Sequence, residues 1–79
     1  MKKKVPDRDL EIATFVRERR RANTMTQAEL GELAGVGRRL VVEVEQGKPT
    51  VRLDAVNKIL KVFGKTLGVV EAKRARGEV

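Results

Sequence analysis

The sequence predicts an all-α domain of four to five short helices, closed by one short apolar strand. Three observations predict it. Apolar residues recur at helical spacing from Ile12 onward, glycines fall just beyond several of these runs, and one β-branched stretch near the end breaks the period. The 79 residues make one small domain at most, since a chain of this length buries only about 60% of its unfolded surface. Hydrophobic residues are 41% of the chain and aromatics 3%, from Phe15 and Phe63 alone, so the core must be aliphatic.

Residues 1–8, MKKKVPDR, are charged and carry Pro6, which reads as a flexible basic arm before a folded unit over 9–64. The first helix is expected from Asp9, a possible cap, with Ile12, Phe15, Val16, Arg19 and Arg20 on one face. It should fade near Asn23-Thr24. Thr26 opens the second helix with Glu29 three residues on, the spacing of a capping box, and Leu30, Leu33 and Ala34 form its stripe. Gly35 stands where a left-handed C-cap belongs. The third helix runs from about Arg38 to Gln46 and is stopped by Gly47-Lys48-Pro49. The fourth covers Leu53 to Phe63, with Leu53, Val56, Ile59, Leu60 and Phe63 on one stripe and Gly64 ending it. Its N-cap is Thr50 by chemistry or a position nearer Arg52 by periodicity.

Residues 65–71, KTLGVVE, are short, apolar and β-branched, which predicts a strand. The chain offers no second strand to pair with it. A symmetric copy is the simplest partner, which makes Thr66, Leu67, Val69 and Val70 candidate dimer contacts. The competing reading is an extended tail packed on the helices. Residues 72–79 read as a frayed tail.

Composition narrows the function. Cys, His, Ser, Tyr and Trp are all absent, which removes disulfides, zinc fingers, thiol and serine nucleophiles and histidine acid–base chemistry. No catalytic residue, metal site or cofactor is expected, and the chain does not read as an enzyme. Eighteen Lys/Arg against eleven Asp/Glu give a net charge of +7, which points to a polyanionic partner or to an inert basic surface. No apolar run approaches the roughly 18 residues of a membrane span, and the start lacks a signal-peptide pattern. A cytoplasmic protein is expected, with no membrane partner.

The informative stretch is TQAELGELAGVGRRLVVEVEQG, residues 26–47: two short helices joined by a glycine-bearing turn, the signature of a helix-turn-helix. On the third helix Val41 and Val44 point one way, with Leu40 at the edge. Arg39, Val42, Glu43 and Gln46 point the other way, with Arg38 flanking. A buried stripe opposite two arginines is what reading a DNA groove requires.

The pattern T-Q-x-E-L-x-x-x-x-G-V, a short helix and E-x-G resembles the Xre-type, lambda-repressor-like helix-turn-helix regulators over about residues 10–63. The continuation G-K-P-T-V-R-L-D, a helix, a glycine and a short apolar strand is similar to the HipB-like antitoxin branch. That resemblance implies a homodimer paired through its C-terminal strand. It further implies repression of its own operon at a palindromic double-stranded DNA operator in the bacterial nucleoid, and a HipA-like kinase toxin as partner. A plain Xre-family repressor without a toxin is the alternative. RNA is disfavoured because both phenylalanines are assigned to the core rather than to a stacking platform.

Carried over by position, Gln27 matches a residue that bonds a DNA phosphate. Arg38 and Arg39 match base-meeting positions, with phosphate contact as the plainer reading. Glu43 either accepts from cytosine N4 or pairs with Arg39 four residues earlier. Arg20 and Glu45 match an internal salt bridge between first and third helices; otherwise Arg20 belongs to the solvated run Arg17–Arg21. Gly37 replaces the usual Ser or Thr cap, and Val42 replaces a usual Ser, where it can touch a thymine methyl.

Overall fold

The computed structural model describes residues 7–72 of the chain, as four α-helices in sequence order. They are α1 (Asp7–Ala22), α2 (Gln27–Ala34), α3 (Arg38–Glu45) and α4 (Leu53–Val62). Residues 1–6 of the expected arm and 73–79 of the expected tail lie outside the described residues. α1 begins two residues earlier than expected, so Asp9 lies within the helix rather than at its cap. The acidic and basic residues that open this segment are compatible with helix, and Pro6, immediately before it, is where a proline is tolerated.

The turn after α1 closes by Met25 N–H donating to the Arg20 carbonyl at 3.0 Å, with Thr24 in the left-handed region at φ +49°. A β-branched residue is costly in that conformation, so the contacts around it must hold it there. Asn23 contributes by donating its side-chain amide to the Arg19 carbonyl at 2.8 Å.

α2 starts as its sequence dictates. Thr26 Oγ1 accepts from Glu29 N–H at 3.0 Å, and Thr26 N–H donates to Glu29 Oε1 at 2.8 Å. Gly35, at φ +75°, ends the helix in the left-handed conformation. Within α2, Gly31 is buried against the turn that follows. A Cβ placed on it would sit 2.5 Å from the Gly37 carbonyl carbon and 2.8 Å from Arg38 N. Its carbonyl accepts from both Val36 and Gly37 N–H, at 3.0 and 3.3 Å. The residue therefore sets how closely α3 approaches α2.

The core is aliphatic, as expected: Val16, Leu30, Val41, Val44, Val56, Ile59 and Leu60 are buried together. Phe15 and Phe63 pack on its margin edge to face, with ring centres 6.2 Å apart. Arg19 lies over the Phe15 ring at 5.2 Å, a cation–π contact that keeps its charge outside. Two expected core residues are not in it: Leu33 is 66% exposed and Leu53 75% exposed. Leu53 is the first residue of α4 and stands beyond the neighbouring helices' reach, while Leu33 lies on the side of α2 away from its packed residues Leu30, Gly31 and Ala34. α4 begins after Arg52, as the periodicity indicated, and Thr50 does not cap it.

No strand occurs among the described residues, which corrects the expectation for 65–71. A strand needs a ladder partner, and a single chain supplies none here. Instead Asn57 Oδ1, from α4, accepts from Thr66 Oγ1 and from Leu67 N–H, both at 2.9 Å, while Leu67 packs against the core. Val69 and Val70 are exposed.

Gly31→Ala is expected to destabilise the domain by about 1–3 kcal/mol, because backbone rather than a flexible side chain must move aside. Urea unfolding of the two proteins measures it. An unchanged midpoint removes the close approach as a constraint on α3.

Candidate nucleic-acid interface

α3 is the element that the rest of the fold presents. Its inward side carries Val41 and Val44, both buried, and its last residue, Glu45, is a buried acid at 4% exposure. Such a group is tolerated only when donors replace the water it has lost. Arg20 supplies two, Nε to Oε2 at 2.7 Å and Nη2 to Oε1 at 3.1 Å, a bidentate clamp from α1. Gln27 on α2 donates its amide to Oε1 at 3.1 Å. Arg17 donates to the Glu45 backbone carbonyl at 2.6 Å. Arg20 also donates to the Met25 carbonyl at 2.9 Å, tying the α1–α2 turn into the same network. The inward reading of Arg20 therefore holds over the solvated one.

Burial alone drives the Glu45 carboxyl upward. The hydrogen bonds from Arg20 and Gln27, with the charges of Arg20 and Arg17, outweigh it and hold the group below the usual carboxylate range. The same hydrogen bond raises Arg20, which stays charged throughout.

The outward side of α3 is polar and basic. Arg38 and Arg39 are exposed, Arg39 at 87%, on the first two residues of the helix. Gly37 precedes them with no side-chain cap, so the helix starts with backbone N–H groups unclaimed by a capping side chain. Glu43 follows one turn later, its Oε2 lying 3.5 Å from Arg39 Nε and 3.4 Å from Lys48 Nζ. The Arg39–Glu43 pairing open in the sequence is thus made. Gln46 is exposed and forms the C-cap rather than the last turn. Val42 is half-buried, not fully presented to solvent.

The structure brings Arg38, Arg39, Glu43 and Gln46 to one accessible side, with Val42 recessed among them. Gln27 is also half-buried and spends one amide hydrogen on Glu45, leaving the other free. Sequence reasoning did not anticipate Arg17 and Lys48 as members of these networks. Arg17 lies three residues before Arg20, one turn apart on the same helix side, a spacing that carried the signal. Thr66, Leu67, Val69 and Val70 lie in the segment after α4 and not on the α3 side. No helix of the described residues is long and apolar enough to cross a membrane.

Comparison with known proteins agrees with this arrangement. A family model described as helix-turn-helix matches residues 16–70. The chain is 35% identical over 60 residues to an uncharacterized HTH-type transcriptional regulator, y4mF, of Sinorhizobium fredii (strain NBRC 101917 / NGR234). That alignment covers 76% of this chain and 79% of the relative. Among solved structures, a toxin–antitoxin module from Streptococcus pneumoniae is similar with a TM-score of 0.73 at 34% identity, covering 85% of this chain and 74% of that one.

Removing one partner from a buried pair strands the other charge. Glu45→Ala is therefore expected to cost about 3–5 kcal/mol, seen as a lower thermal midpoint before any change in intrinsic DNA contacts. An unchanged midpoint would defeat this assignment. The pH dependence has a definite sign. A carboxylate held below its unfolded value of 4.5 stabilises the fold above that pH, and the contribution is lost as pH falls through the folded value. Glu45→Gln should therefore show a shallower loss of stability below about pH 4.5 than the parent chain, by circular dichroism.

Proposed function

The chain belongs to the helix-turn-helix family, and from that membership we propose that it is a sequence-specific DNA-binding transcriptional repressor. The observation that carries the reading is α3: buried and clamped through Glu45 on one side, with Arg38 and Arg39 exposed on the other. A helix fixed in this way enters a major groove without losing further conformational freedom, and arginine reads guanine O6 and N7 in bidentate fashion. Gln27, at the start of α2, has an amide hydrogen left for a phosphate. The net charge of +7 adds sequence-independent attraction.

The repressor acts as a homodimer on a palindromic operator, in the cytoplasm at the nucleoid. Support comes from Val69 and Val70, exposed apolar residues directly after Leu67, whose N–H is fixed on Asn57. Pairing of residues 65–71 with their copy gives both valines a partner surface, and a dyad places the two α3 helices about 34 Å apart, one turn of DNA, or a multiple of that. Arm residues 1–8 add phosphate contacts.

The similarity to a toxin–antitoxin module supports a narrower reading, in which this dimer is the antitoxin of a HipA-like kinase and represses the operon that encodes both. A plain repressor is the alternative. Footprinting the protein on its own upstream region, with and without the neighbouring gene product, separates them. A protected palindrome whose protection changes with a co-purifying kinase supports the antitoxin, and protection indifferent to any neighbour supports the plain repressor. No protected region at all removes the proposal.

For an interface of roughly six phosphate contacts, operator affinity should fall by about three orders of magnitude between 50 and 200 mM salt, measured by fluorescence anisotropy. Affinity that scarcely changes with salt defeats the mechanism. Replacing Val69 and Val70 with glutamate should leave the melting curve of the domain nearly unchanged and shift its mass in light scattering from dimer to monomer. A parent chain that is already monomeric at high concentration refutes the pairing.

A further inference from the structure

We propose that Glu43 sets the selectivity of the α3 surface by holding Arg39 and Lys48 back from DNA that offers Arg39 no matching base. The proposal rests on the DNA-binding reading and adds a role to a residue that contacts no base itself.

Two independent features of the chain build this arrangement. Arg39 and Glu43 stand one turn apart on α3, and their side chains meet at 3.5 Å. Gly47, at φ +75°, then reverses the chain, so that Lys48 N–H donates to the Glu43 carbonyl at 3.1 Å. The same reversal brings Lys48 Nζ to 3.4 Å from the same carboxylate oxygen that meets Arg39. Glu43 is only 22% exposed, whereas Arg39 is 87% and Lys48 49% exposed. The anion is thus the fixed centre and the two cations are the movable arms. The other acid of α3, Glu45, is buried and faces α1, so Glu43 is the one carboxylate on the outward side of this helix.

Exposed ion pairs of this kind add little to stability, so the array is not explained by folding. Its effect on a polyanion is larger. A carboxylate among the cations repels phosphates whatever the sequence, and non-specific affinity is almost wholly electrostatic. To bond a base, Arg39 must also leave Glu43. A guanine that accepts two hydrogen bonds compensates for that loss, and a phosphate or a mismatched base does so incompletely. Selectivity is a difference between affinities, and a repulsive element raises it by weakening the wrong complexes most.

The test compares the parent chain with Glu43→Gln and Glu43→Asp on two probes. One is a 25-base-pair duplex pool of random sequence, at roughly the length a two-turn site requires. The other is the duplex enriched from that pool by repeated selection with the parent protein. Glu43→Gln is expected to bind the random pool about fivefold tighter, with a salt slope steeper by about 1, because one opposing charge is gone. Its affinity for the enriched duplex should change much less, so the ratio between probes falls. Glu43→Asp keeps the charge on a shorter arm and should retain the parent salt slope.

An unchanged random-pool affinity and slope in Glu43→Gln overturns the proposal. So does a loss confined to the enriched duplex that a single changed C·G pair abolishes, which makes Glu43 a direct reader of cytosine. Both outcomes leave DNA binding standing. A parent chain that enriches no sequence removes the DNA-binding reading itself, which separates the two failures.

Discussion

A carboxylate that has lost nearly all its water needs a donor at each oxygen, and Glu45 meets that need by drawing on three helices. Arg20 and Arg17 come from α1, Gln27 from α2, and the acid itself ends α3. Among the described residues no buried side-chain nitrogen or oxygen is left without a partner. The arrangement is directional in a way that aliphatic packing is not. Val41 and Val44 hold α3 against the core but tolerate small rotations, whereas a bidentate clamp at 2.7 and 3.1 Å fixes the helix about its own axis. A buried ion pair is weak evidence for net stability, since hydrophobic replacements often serve as well. Its value here is orientation.

Orientation matters because α3 is short. Eight residues give little more than two turns, so Arg38 and Arg39 at one end and Glu45 at the other share a single rigid segment. Gly31 constrains the near end by letting the Gly37–Arg38 backbone come within contact of α2, and Glu45 constrains the far end. Between these points the outward side chains have no freedom to change which way they face, although Arg39 and Lys48 can still swing on their own stems.

Much of this was legible in the sequence, and the legible parts are those governed by local chemistry. Thr26 and Glu29 specify a capping box because the bonds run between residues three apart, and Gly35 specifies a turn because φ +75° suits glycine. The pairing of Arg20 with Glu45 spans 25 residues and was accessible only through family resemblance, not through spacing. Where the sequence misled, geometry beyond the helix was responsible. Leu33 and Leu53 fit an apolar period, yet the period says which residues share a side and not whether a neighbouring helix reaches that far. Gly31 was silent because a missing side chain signals nothing until the opposing backbone is known. The strand over 65–71 has the composition of one, but hydrogen-bond pairing belongs to two segments, and one chain holds only one.

That last case shows what the monomer leaves undone. Asn57 fixes Thr66 and Leu67 on α4, so the segment leaves the core in a set direction and carries Val69 and Val70 into water. Leu53 is exposed too, at the start of α4. A domain with so few buried aliphatic side chains has little apolar surface to spare, and burial returns about 25 cal/mol per Å². Association through this segment therefore follows from the same shortage that makes the Glu45 network necessary. The two devices divide the work of the proposed regulator. The buried acid fixes how each α3 meets a groove, and the C-terminal segment fixes how far apart two such helices stand. A duplex is read only when both are right, so a defect in the first loosens the domain, while a defect in the second leaves each domain intact and able to meet only half of its site.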